Sequence, residues 1–94
     1  MTAYLIANID VTKPERYEEY KRFSSLAMSS CGAKVLVRGG KCEGLEGDVP
    51  ARTVVLEFAS MAAARAFYNS AQYRRARNAR EGAANMTMYI VEGV

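Results

Sequence analysis

The sequence contains no histidine and no tryptophan, and only two cysteines and two prolines. The missing histidine excludes the most. It removes the commonest general base near neutral pH and the commonest metal ligand. With it go a Ser-His or Cys-His nucleophile and a histidine-ligated haem or zinc. Chemistry would have to come from carboxylates, tyrosines, arginines or a thiol, and no resident cofactor or metal is expected. Cys31 and Cys42 have neither CxxC nor metal-ligand spacing, and two thiols make no disulfide scaffold. Both are read as small apolar side chains lacking an activating neighbour. No apolar run nears the roughly 20 residues that span a bilayer, so no membrane partner is expected. The opening MTAYLIANIDV runs into strand-like sequence without a basic leader, which points to a cytoplasmic protein.

What the chain has in plenty is apolar surface. Half of its 94 residues are hydrophobic, which fits one globular domain over residues 1–94 and argues against disorder. A domain of this size buries a smaller fraction of its surface than a larger one, so its core is marginal when alone. The apolar excess therefore suggests a second copy as partner, a homodimer. Charge is uneven: residues 1–50 balance seven Lys or Arg against seven Asp or Glu, whereas residues 51–94 hold six Arg and three Glu. Five of those arginines lie between Ser60 and Arg80, with no acid among them. Without an aromatic RNA-reading motif or zinc-finger spacing, this reads as a solvated helix face, and no nucleic-acid partner is expected.

Periodicity gives the elements. Ala3 to Asp10 alternates, with Leu5, Ala7 and Ile9 apolar on one side and Tyr4, Ile6, Asn8 and Asp10 mixed on the other, as in a half-buried strand. Thr12, Pro14 and Glu15 have the pattern of a helix start with a capping box. The helix should continue to Cys31, with Tyr17, Tyr20, Ser24, Ala27, Met28 and Cys31 on one stripe, and end at Gly32. A second strand is expected over Ala33–Glu43, where Gly39 and Gly40 suggest a bulge or a close backbone approach. GLEGDVP at 44–50 is a turn region. Thr53–Phe58 forms a third strand with Val54, Leu56 and Phe58 on its apolar face. Ser60 caps a helix over Met61–Glu81 that breaks near Ser70. Met86–Glu92 is the last strand.

The order βαββαβ, with right-handed crossovers, yields a ferredoxin-like α+β fold: a four-stranded antiparallel sheet with helices on one face. The other face should then carry Tyr4, Ile6, Leu36, Val55, Met88 and Ile90. That set is too apolar for water, and a second sheet packed on it would make a dimeric α+β barrel.

Strand AYLIANIDV, the Tyr17/Tyr20 pair, VLVRGG at 35–40, GD before the third strand, VVLEF at 54–58, ARAFYNSAQY at 64–73 and the IVEG ending together resemble the domain-of-unknown-function family numbered 1330. The likeness spans nearly the whole chain. It implies the same dimeric α+β barrel and assigns no biochemical activity.

Glu57 is the best catalytic candidate. Asn8 and Glu57 are expected mid-strand on neighbouring strands of the mixed face, and Arg38 shares the parity of Leu36. A desolvated carboxylate needs a partner, so the cluster reads either as a general base with an anion anchor or as an interface network fixing dimer register. Tyr17, Tyr20, Tyr68 and Tyr73 either line a pocket between helices and sheet or pack in the core with hydroxyls outward. Ser70 either caps the last helical segment or helps hold an anion. The ligand-binding candidates are thus Asn8, Arg38, Glu57, Tyr68, Ser70 and Tyr73. Three functions stay open: a small-molecule-binding protein for a polar or aromatic molecule, a cofactor-independent monooxygenase- or isomerase-like enzyme using Glu57 or a tyrosine for proton transfer, and a non-catalytic structural or stress-related module.

Overall fold

Alternating side chains make the first strand, β1 (Ala3–Val11), and its apolar parity is buried throughout: Ala3, Leu5, Ala7 and Ile9. A computed structural model describes all residues, Met1 to Val94. Helix α1 (Pro14–Ser30) follows, with Pro14 in its first turn. The expected Thr12 cap does not form: Lys13 is the N-cap and no side chain bonds there. Instead the backbone N–H groups of Thr12 and Lys13 both donate to the Ala83 carbonyl at 2.9 and 3.0 Å, tying the start of α1 to the segment before the last strand. Gly32 stops the helix at φ +68°, a backbone region that suits glycine.

Strand β2 is shorter than its sequence suggests, Lys34–Arg38 rather than Ala33–Glu43. Gly39 turns away at φ +72° after its N–H bonds the Thr53 carbonyl at 2.9 Å, so residues beyond it have no ladder to join. Strand β3 (Arg52–Phe58) buries Val54, Leu56 and Phe58. Helices α2 (Met61–Tyr68) and α3 (Ala71–Arg80) follow, with the expected break falling at Asn69 and Ser70. Each is capped as its serine suggests: the Ala63 N–H donates to Ser60 Oγ at 3.0 Å and the Tyr73 N–H to Ser70 Oγ at 3.1 Å. Strand β4 (Ala84–Glu92) closes the fold.

The sheet order is β2-β3-β1-β4, antiparallel throughout, which is the ferredoxin-like arrangement. A slab of 33 × 32 × 16 Å has room for one helical layer on one sheet, so the sheet's second face is bare. The core is an aromatic chain that staples all three helices to the sheet. Ring centroids run Phe58 to Phe67 at 5.3 Å, Phe67 to Tyr73 at 4.7 Å, Tyr73 to Tyr20 at 6.3 Å and Tyr20 to Tyr17 at 5.2 Å. Burying such a side chain stabilises by about 1.5–3 kcal/mol, and tilted ring pairs add about 0.5–1.5 kcal/mol each. Ala27, Ala64 and Ala76, all fully buried, let the helices approach closely. No helix is long and apolar enough to cross a membrane.

The register corrects the expected open face. Met88 lies opposite Ala7 and Ile90 opposite Leu5, so both point to the helices. The open face of β4 carries Thr87, Tyr89 and Val91 instead. On β2 a bulge at Leu36 separates the pairs Val35↔Leu56 and Val37↔Val55. The extra residue flips the parity behind it, as a bulge must. Val37 therefore joins the open face, and Arg38, opposite Val54, turns to the helix side. Cys31 is likewise exposed at the helix end and belongs to no stripe.

Candidate functional site

A narrow cleft opens between α1 and the β2–β3 side of the sheet. Its floor is apolar, with Leu5, Val54, Leu56 and Met88 from the strands, Met28 from α1 and Phe67 from α2. Tyr17, Tyr20 and Ser24 reach it from α1 and Tyr73 from α3; Lys21, Arg38 and Arg52 also line it. The space open to the centre of a water-sized sphere is about 20 Å³, room for one water or two.

Two polar features stand out. The first is a buried hydroxyl pair, Tyr20 Oη to Tyr73 Oη at 2.7 Å, with the Tyr73 hydroxyl also 3.9 Å from Met88 Sδ. Burial, helped by the neighbouring Tyr73 hydroxyl, holds the Tyr20 phenol well above its ordinary value of 10.0. Burial also raises Tyr73, although the Tyr20 hydrogen bond and Arg80 pull the other way. Both phenols are neutral donors near pH 7 and too weakly acidic to shuttle protons there.

The second is a set of arginines without carboxylates. The only ion pair in the protein is Lys21–Glu18 at 2.8 Å. Arg38 donates to Ser25 Oγ, whose own hydroxyl donates to the Lys21 carbonyl at 2.7 Å. Arg52 lies with its Cζ 5.8 Å from the Tyr17 ring centroid, and Arg80 has its Cζ 5.7 Å from that of Tyr20. The Nε atoms of Arg52 and Arg80 are buried and bond nothing in the protein; a buried donor left so costs about 1–3 kcal/mol. A Cβ on Gly39 would overlap the Arg52 guanidinium, so the guanidinium is held between the Gly39 backbone and the Tyr17 ring. No acid lines the cleft, and no three His, Cys, Asp or Glu side chains come together anywhere.

With this geometry in hand, comparison with known proteins places the chain. Residues 2–94 match the profile of the domain of unknown function DUF1330. The chain belongs to that family. No curated protein matches it. Among solved structures, the RPA0582 protein of unknown function from Rhodopseudomonas palustris is similar at 18% identity and TM-score 0.74, over 99% of this chain and 82% of that one. SnoaB, a cofactor-independent oxygenase from Streptomyces nogalater, is similar at 8% identity and TM-score 0.64, over 99% and 93%. A dimeric protein of unknown function with a ferredoxin-like fold from Bacteroides fragilis is similar at 8% identity and TM-score 0.62, over 98% and 96%. At these identities the likeness concerns the fold.

In this DUF1330 protein the residues singled out from sequence do not form one cluster. Glu57 and Asn8 lie on the open face. Glu57 sits opposite Tyr4 on one side and Lys34 on the other, and Asn8 Oδ1 accepts from Thr53 Oγ1 at 3.4 Å. Arg38 is on the far side of the sheet from Glu57, because of the Leu36 bulge. It cannot be the partner that parity suggested. Tyr73 belongs to the cleft, with its hydroxyl inward on Tyr20 rather than outward. Tyr68 stacks under the Arg77 guanidinium, whose Cζ is 4.3 Å from the ring centroid, and lies outside the cleft. Ser70 caps α3 and donates to the Phe67 carbonyl at 2.7 Å; both hydrogen bonds belong to the helix junction. Sequence reading missed Arg52. The one available signal was Gly39, flagged for a close approach without its visitor being named.

Proposed function

We propose that this DUF1330 protein is a homodimeric small-molecule-binding protein of the cytoplasm, with one binding cleft per protomer beneath α1. The observation that carries the reading is the α1 cleft itself, where an apolar floor, a buried tyrosine pair and arginines lacking counter-charges meet. Small-molecule sites commonly combine an apolar wall with a few placed polar groups. The narrow floor favours a slender or planar apolar group. Lys21 at its edge has a flexible side chain able to move aside.

Dimerisation is supported by the open face. Val37, Val55, Ile6 and Tyr89 are register neighbours and form an apolar row across all four strands, about 15 Å long at the usual strand spacing. Lys34, Glu57, Tyr4 and Val91 form the next row; Thr53, Asn8 and Thr87 flank it on the other side. An apolar stripe between polar borders fits a second copy of the same sheet. Glu57 and Asn8 then serve the interface rather than the chemistry.

Binding is favoured over catalysis by the groups present in the cleft. None of them is a carboxylate or an imidazole, and the two buried phenols are held neutral. A thermal-shift screen against small metabolites tests the reading: a ligand at 100 times its dissociation constant stabilises by about 2.7 kcal/mol. A screen in which Tyr20→Phe and wild type respond identically to every hit would place the site elsewhere.

A further inference from the structure

We propose that the cleft takes a small amphipathic carboxylate, its head paired with Arg52 and Arg38 at the mouth and its apolar tail directed toward Met28 and Leu56. This rests on the small-molecule reading above and names the ligand class.

The charge pattern points to an anion. Lys21 already has Glu18, while Arg38 and Arg52 border the same cleft with no acid to neutralise either. A cleft edged by two arginines and by no acid presents net positive charge, which an anion would neutralise. Both are also preorganised. Arg38 is held by the Ser25 hydroxyl, and Arg52 by the Gly39 backbone and the Tyr17 ring. A planar fork already in place loses little freedom on binding, and its paired N–H groups match a carboxylate in the bidentate manner. Arg52 Nε, buried and unpartnered, is the donor such a head would satisfy. The apolar floor excludes a fully charged, tail-less ion: a free phosphate would leave Leu56 and Met28 uncovered and would bring a second charge against them. A carboxylate with a short hydrocarbon or aromatic tail meets both halves of the site.

The test is a calorimetric and thermal-shift titration of the full chain with hexanoate, hexanol, hexylamine, acetate and inorganic phosphate. Hexanoate should bind best, with acetate and hexanol each weaker by about tenfold or more, because each lacks half of the recognition. Arg52→Gln and Arg38→Gln should each weaken hexanoate by about tenfold and leave hexanol unchanged. Arg52→Lys, which keeps the charge and loses the fork, should fall between. Arg74→Gln, an exposed position on α3, should have no effect. Circular dichroism verifies that each variant is folded, and the Arg38 variant carries the test if the Arg52 variants are not. Hexanol or hexylamine binding as tightly as hexanoate would overturn the anion and leave the pocket standing. Phosphate or acetate matching hexanoate would overturn the tail. Hexanoate binding untouched by both arginine variants would overturn the site. Failure of hexanoate and hexanol alike at millimolar concentration would overturn both the ligand class and the pocket.

Discussion

The Arg52 guanidinium occupies the space that a side chain on Gly39 would need. Residue 39 also has φ +72°, so glycine answers two demands there, a left-handed turn and a seat for the cation. Gly39→Ala should lower stability by about 1–2 kcal/mol from the backbone alone. It should also drive Arg52 off the Tyr17 ring. A denaturant melt measures the first effect. The second should appear as weakened hexanoate binding in protein that remains folded.

Tyr20 and Tyr73 predict an alkaline limit. Both phenols are raised in the folded protein, whereas in the unfolded chain they ionise near the ordinary 10.0. Their contribution is therefore fully present below pH 10 and is lost as pH rises above it, because only the unfolded chain then releases these protons. Unfolding scans should show stability falling from about pH 10 upward. The Tyr20→Phe/Tyr73→Phe double variant should show a shallower fall. The single Tyr20→Phe variant should lose about 1–3 kcal/mol at neutral pH, since the buried Tyr73 hydroxyl loses its hydroxyl partner.

Val55 stands mid-row on the open face, opposite Ile6 and Val37. In the dimer, Val55→Asp would bury an unpaired charge against a second sheet at a cost of several kcal/mol. Sedimentation should show dimers of the wild-type chain at micromolar concentration and monomers of the variant. A wild-type chain that sediments as a monomer would end the barrel proposal.

Glu57→Gln separates the two faces of the sheet. With Glu57 beside Tyr4 and Lys34 and turned away from the cleft, the substitution should shift the dimer's dissociation constant and leave hexanoate affinity within twofold. A large loss of ligand affinity with the dimer intact would return Glu57 to the binding machinery.

Ser70→Ala removes both hydroxyl hydrogen bonds at the α2–α3 junction, the one accepted from the Tyr73 N–H and the one donated to the Phe67 carbonyl. A loss of about 1 kcal/mol is expected from the cap. Ligand affinity should change little, as Ser70 does not line the cleft.

Much of this protein follows from local sequence. The alternation in β1 and β3, the serines before α2 and α3 and the glycine after α1 act within a few residues of themselves. Their consequences, including the βαββαβ order and the antiparallel sheet, follow from that local pattern. The site does not. Face parity along a strand is readable only while pairing is regular, and the Leu36 bulge is a feature of how β2 pairs with β3. That single unpaired residue sends Arg38 away from Glu57 and toward α1. The placing of Met88 and Ile90 depends in the same way on which residues of β1 they meet. The seat of Arg52 needs residues 39 and 52 together, and the Tyr20–Tyr73 pair spans 53 positions. Local rules carry no information about meetings at such separations, since they depend on how packed helices and paired strands close the chain on itself. Sequence determined the elements and their order; tertiary register decided which polar groups share a face.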